Sequence, residues 1–133
     1  MKKLELGSCV YKVDDNGKMR AYFVISNPQG DPPKIIAVSI TDYETHFDKS
    51  VVLEAENPEH PAIKKKSVVA YIFTQDWEVE KIEAELNNNE ERTDLHHSDP
   101  VCSIELVKKL RKGLLNSRAV KKKYRTMLMN DSN

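Results

Sequence analysis

Up to about residue 74 the apolar residues come in short runs, at 4–6 with 9–11, then 21–26, 34–39, 51–53 and 68–73. Beta-branched and aromatic side chains dominate these runs, which predicts strands. Between them lie Asp14-Asp15-Asn16-Gly17, Asn27-Pro28-Gln29-Gly30-Asp31-Pro32-Pro33 and Asn57-Pro58-Glu59-His60-Pro61, whose Gly, Pro and Asn favour tight reversals. Short strands at this spacing predict a small barrel. After Thr74 the period lengthens, and Val79, Ile82 and Leu86 fall at i, i+3 and i+7 with carboxylates between them, the pattern of one amphipathic helix. Asn87-Asn88-Asn89 ends it, and the polar stretch through His96-His97 reads as a surface loop. Asp99-Pro100 then forms an N-cap and first-turn pair for a second helix with Ile104, Val107, Leu110 and Leu114 on one face, weakened at Gly113. A third helical piece runs from 118 to about 129 with Val120, Tyr124 and Leu128 on one side. The expected class is mainly β, α+β by content: a small barrel with one to three helices, the C-terminal ones lying on it or extending from it.

Composition narrows the picture. A chain of 133 residues, 39% hydrophobic and 32% charged, fits one ordinary globular domain. No apolar run approaches the roughly 20 residues that span a bilayer, and the start, Met1-Lys2-Lys3-Leu4-Glu5-Leu6-Gly7, lacks the apolar stretch of a secretory signal. The cytoplasm is the expected compartment, and there Cys9 and Cys102 are expected to be packing thiols. The net charge of zero hides a segregation: residues 76–99 carry nine acids against two bases, and residues 105–125 nine bases against one acid. A basic segment of this kind recruits phosphate or an acidic partner, or is simply a solvated helix face.

Conventional catalytic signatures are absent: there is no Gly-rich phosphate loop, Cys-x-x-Cys, His-Glu-x-x-His or Gly-x-Ser-x-Gly in the chain. His96-His97 adjoins Asp94 and Asp99, but neighbouring histidines project differently and a zinc site needs four aimed ligands. No metal and no organic cofactor is expected. What stands out is Arg20-Ala21-Tyr22-Phe23-Val24-Ile25-Ser26-Asn27, an arginine at the head of a strongly apolar strand, followed after a turn by Ile35-Ile36-Ala37-Val38-Ser39-Ile40-Thr41.

Here the chain resembles the MazF/PemK toxin family. Leu6-Gly7 matches the glycine that opens the family's first strand, Arg20 its arginine, Val24-Ile25-Ser26-Asn27 the strand that follows, and Ser39-Ile40-Thr41 the end of the next. Ser67-Val68-Val69 matches a later strand and the Ile104-containing helix the last helix. The chain departs from the family in its short first loop, Asp14-Asp15-Asn16-Gly17-Lys18-Met19, in Ala21 where proline is usual, in Phe73 where many members carry arginine, and in a longer basic C-terminal part. The resemblance implies an SH3-like barrel, with residues 1–133 as one domain, barrel to about 75 and helical part at about 76–129.

It also implies the toxin of a toxin–antitoxin pair, an endoribonuclease that cuts single-stranded RNA as a homodimer without metal and is covered by a cognate antitoxin protein. In that chemistry the RNA 2′-OH attacks the neighbouring phosphate and leaves a 2′,3′-cyclic phosphate, so the protein aligns the groups and stabilises growing charge. Arg20 and Thr41 are the implied catalytic residues, Arg20 as a forked donor to phosphate and Thr41 as a hydroxyl on a phosphate oxygen or the leaving group. Outside the family match, Arg20 reads as a solvated strand-start residue and Thr41 as a strand-end cap. His46, Lys18 and Tyr43 are candidate catalytic or RNA-binding residues, and Tyr11 and Trp77 candidate stacking residues, Trp77 equally a packing anchor. The alternative is a catalytically inactive toxin-like binding module on the same barrel. Its gyrase-poisoning form has less support, because the chain ends Asn130-Asp131-Ser132-Asn133 and not Trp-Gly-Ile.

Overall fold

In a computed structural model the described residues are 3–44, 48–88, 95–98 and 100–131. Five strands come first: β1 (Cys9–Val13), β2 (Met19–Val24), β3 (Lys34–Asp42), β4 (Val52–Leu53) and β5 (Ser67–Glu78). Helix α1 (Val79–Asn88), strand β6 (Leu95–Ser98) and helices α2 (Ile104–Asn116) and α3 (Lys122–Met129) follow. The six strands make one antiparallel sheet in the order β4-β5-β3-β2-β1-β6. The fold is therefore α+β. Closure into a barrel, expected from the strand spacing, is not seen among the described residues, where β4 and β6 are the two edges of an open sheet.

Both faces of the sheet are covered, which is why β2 and β3 read as unbroken apolar runs and not as an alternation. Ala21, Phe23, Ile36, Val38 and Ile40 pack with Leu106, Leu110 and Leu114 of α2 and with Tyr124 and Leu128 of α3. Tyr22, Val24, Ile35 and Ala37 turn the other way, onto Trp77 and onto Ile82 and Leu86 of α1. Successive side chains of a strand point to opposite faces, so one six-residue segment serves two cores.

Several boundaries differ from the sequence expectation. Residues 4–6 are not a strand; the Leu4 amide donates to the Glu83 carboxylate at 2.7 Å. Strand β5 continues past Thr74 to Glu78, because Trp77 pairs opposite Ile35 and its ring lies 5.2 Å from that of Tyr22. Leu95-His96-His97-Ser98 is not a loop but edge strand β6, paired along β1. The cap of α2 is Ser103, whose hydroxyl accepts from the Leu106 amide at 3.1 Å; Pro100 precedes the helix and Asp99 lies outside the described residues. Ile104 is exposed, and Leu106 takes its expected place in the core. The third helix begins at Lys122 and not at the expected 118, so Tyr124 and Leu128 are buried on it and Val120 just ahead of it, and it closes over the sheet.

Cys9 and Cys102 are free and buried, and burial pushes both thiols up to about 12, so they stay protonated. Among the described residues no helix is long and apolar enough to cross a membrane.

Candidate functional site

The β2–β3 ladder stops short of the sheet's end. Its last rung toward the β1–β2 turn is Tyr22 opposite Ser39. Two more residues in the same register would set Arg20 against Thr41, but among the described residues β2 beyond this rung pairs only with β1 and β3 only with β5. Where the two strands part there is a cavity of about 280 Å³. Its floor is apolar, from Ala21, Ile40 and Ala62, and its rim carries Lys18, Arg20, Lys64, Lys65 and the hydroxyl residues Thr41 and Ser67. Of the titratable carboxylates among the described residues only Asp42 lines it, so four basic residues stand against one acid.

Local chemistry builds each wall. The tight turn after β1 is organised by Asp14, whose Oδ1 accepts the amides of Asn16 and Lys18, both at 2.9 Å. Gly17 completes it at φ +78°, a conformation that a residue with a Cβ adopts only with strain. The other carboxylate oxygen of Asp14 accepts from Arg20 Nε at 2.7 Å. The Lys18 amide first, and then Arg20, hold the Asp14 carboxyl below the usual range. Arg20 is thus tethered through Nε, and its terminal nitrogens make no further hydrogen bond among the described residues. Its guanidinium carbon stands 5.0 Å from the centre of the Phe73 ring. The side chain is only 13% exposed, a correction to the reading of Arg20 as a solvated strand-start residue. On the far wall Lys65 Nζ meets Asp42 Oδ2 at 2.8 Å, and this contact, with the Glu44 amide, holds the Asp42 carboxyl down.

Arg20, Thr41 and Lys18 therefore meet in one cavity, although 20 residues of chain separate the first two. Tyr11 joins them, stacked on His96 at 5.0 Å between ring centres. Tyr43 lies beside the cavity and not in its wall; the ammonium groups of Lys49 and Lys66 each sit 4.1 Å from its ring. Trp77 is buried and packs on Tyr22, which leaves it no part in stacking on a ligand. His46 lies outside the described residues. Sequence reasoning missed Lys64, Lys65 and His96. The signal for the first two was the run Lys64-Lys65-Lys66 ahead of a strand, whereas His96 became legible only through the pairing of β6 with β1.

A cavity with an apolar floor, three lysines, two hydroxyl residues and Arg20 at its edge suits a phosphate carried on a larger molecule. Among the described residues no three His, Cys, Asp or Glu side chains are grouped so as to hold a metal ion. No family model matches this chain, and no curated protein or solved structure matches it either.

Proposed function

We propose that the protein is an endoribonuclease of the MazF/PemK kind, the toxin of a toxin–antitoxin pair, which cuts single-stranded RNA in the cavity between β2 and β3 without a metal ion. The observation that carries the reading is the convergence of Arg20, Thr41 and Lys18 on that cavity. In the reaction the 2′-oxygen bonds to phosphorus as the P–O5′ bond breaks, leaving a 2′,3′-cyclic phosphate on one fragment and a 5′-OH on the other. The proton lost by the 2′-hydroxyl is matched by the one gained at the 5′-oxygen. The nucleophile belongs to the substrate, so no activated serine or cysteine is needed.

The tethered guanidinium of Arg20 offers its two terminal nitrogens to the phosphoryl oxygens, where charge grows. Thr41 holds a phosphate oxygen or the leaving 5′-oxygen, and Lys18, Lys64 and Lys65 draw in the RNA backbone. Asp42, kept ionised by Lys65, is a weak base for the 2′-proton, so catalysis leans on alignment and charge stabilisation. Kinship with SH3-like barrels, a homodimer and a cognate antitoxin over the cavity belong to the same proposal. The break in the β3–β5 register supports the first, since bulges are how a sheet turns a corner toward closure.

The test is long single-stranded RNA incubated with the purified chain in excess EDTA, with the ends mapped. Fragments ending in a 2′,3′-cyclic phosphate and a 5′-OH are expected. Cleavage that vanishes in EDTA and returns with one divalent ion would overturn the mechanism. The Asp14–Arg20 pair favours a second reading, an inactive RNA-binding module, because it offsets part of the cavity's charge. Binding of RNA without cleavage would select it.

A further inference from the structure

Arg20 also walls a second cavity. Between the rungs Ala37–Gln75 and Ser39–Ala70, β3 spends the single residue Val38 while β5 spends four, Tyr71-Ile72-Phe73-Thr74. The Thr74 hydroxyl donates to the Tyr71 carbonyl at 2.6 Å and closes the bulge. Tyr71 and Thr74 stay buried, but Ile72 and Phe73 are 54% and 44% exposed. A lone exposed apolar residue is ordinary. Here two large ones stand side by side on a strand bulge, a device that re-aims side chains beside functional sites. Facing them, Asp15 and Asn16 of the β1–β2 turn complete a cavity of about 270 Å³ together with Lys12 and Arg20.

We propose that this second cavity is a nucleobase subsite, in which the base next to the phosphate bound in the first cavity stacks on Phe73 and presents its edge to Asp15 and Asn16. The inference rests on the RNA reading of the first cavity. Arg20 lines both cavities, so the phosphate and base positions are adjacent, as neighbouring groups on one strand require. The Phe73 ring, already against the Arg20 guanidinium, supplies the aromatic surface that single-stranded nucleic acids use sequence-tolerantly. Selectivity comes from the turn. Asp15 and Asn16 are exposed and their side chains make no hydrogen bond or ion pair among the described residues. An ionised carboxylate only accepts hydrogen bonds, so Asp15 favours a base with an exocyclic amino group, adenine, cytosine or guanine, over uracil.

The test uses oligoribonucleotides fully substituted with 2′-fluorine, which cannot be cut, carrying a fluorescent 2-aminopurine. Binding is read by anisotropy and stacking by quenching of the 2-aminopurine. Phe73→Ala is expected to weaken binding by about 10–100-fold, the loss typical of one base–aromatic stack, and to abolish the quenching. Phe73→Trp should restore both, and the exposed position should leave the melting temperature of either variant near that of the parent. The parent should bind oligoadenylate more tightly than oligouridylate, with Asp15→Asn narrowing the gap. If the parent binds and Phe73→Ala binds equally with equal quenching, the subsite is overturned while the RNA reading stands. If the parent binds no oligonucleotide, both fall.

Discussion

Arg20 has two duties, and its substitution separates them. It lines the cavity, and through Nε it braces the turn that Asp14 organises. Arg20→Ala is expected to lower the RNA cleavage rate by about 10²–10³-fold, the usual loss when one preorganised donor to a developing oxyanion is removed. The same change should also lower the urea midpoint, because it removes the brace on the β1–β2 turn. Arg20→Lys keeps the charge and loses the fork, so it should recover only part of the rate. Thr41→Val isolates the hydroxyl. Valine suits a strand, so stability should stay within about 0.5 kcal/mol while cleavage drops by about 10–100-fold. Parent-like rates in both Arg20→Ala and Thr41→Val would remove the site assignment and make His46 the next residue to test.

At the level of elements, α2 carries the clearest conflict between propensity and packing. A mid-helix glycine ordinarily gains about 0.5–1 kcal/mol on replacement by alanine. At Gly113 a Cβ would stand 2.5 Å from the nearest Val51 methyl and press into the Tyr71 ring, whose hydroxyl donates to the Leu110 carbonyl at 2.9 Å. Gly113→Ala is therefore expected to destabilise the protein by about 1–3 kcal/mol through overpacking. A rise in urea midpoint would contradict this view of the helix-to-sheet contact. At the other end of α2, Ser103→Ala should cost about 1 kcal/mol, the usual loss of an N-cap.

Across the whole molecule two carboxylates fasten the C-terminal part to the sheet: Asp76 of β5, which accepts from the Tyr124 hydroxyl at 3.2 Å, and the more deeply buried Asp131. Asp131 meets Arg111 Nη1 at 2.8 Å and accepts from the Asn27 amide at 2.9 Å, while Arg111 also donates to the Ile25 carbonyl at 2.7 Å. This clasp holds α3 over the core formed by Phe23 and Ile36. Burial pushes the Asp131 carboxyl up, but Arg111 and the donors of Asn27 outweigh it and hold it below the usual range. With the folded value depressed, the clasp contributes fully above the unfolded carboxylate value of about 3.9 and is lost as pH falls through the folded one. Asp14 and Asp42 are depressed as well and share that acid limb. Asp131→Asn should flatten part of the fall in melting temperature below about pH 4, and Asp131→Ala, which leaves Arg111 unpaired, should cost about 3 kcal/mol at neutral pH. An acid slope unchanged in Asp131→Asn would show that the clasp is not what titrates.

Local pattern alone located the apolar strands expected at 21–26 and 34–39, the stripe of α1, and the Tyr124 and Leu128 face of the last helix. In each case a buried face imposes its own period on the sequence. Arg20 and Thr41 were legible as candidates only through the family resemblance, since by position alone each reads as a residue at the end of such a run. Their meeting was not, because it depends on where the β2–β3 ladder stops. Pairing is non-local: Leu95-His96-His97-Ser98 has no β-branched residue and becomes a strand only because β1 offers an open edge. Trp77 stays in β5 because Ile35 lies opposite, not because its own neighbours favour a strand. His60, read as one more turn residue, is buried, donating from Nε2 to the Pro100 carbonyl and accepting the Ala62 amide on Nδ1. Periodicity reports that a face is covered; which residues cover it, and what gap remains between two strands, is decided by contacts between segments far apart in the chain.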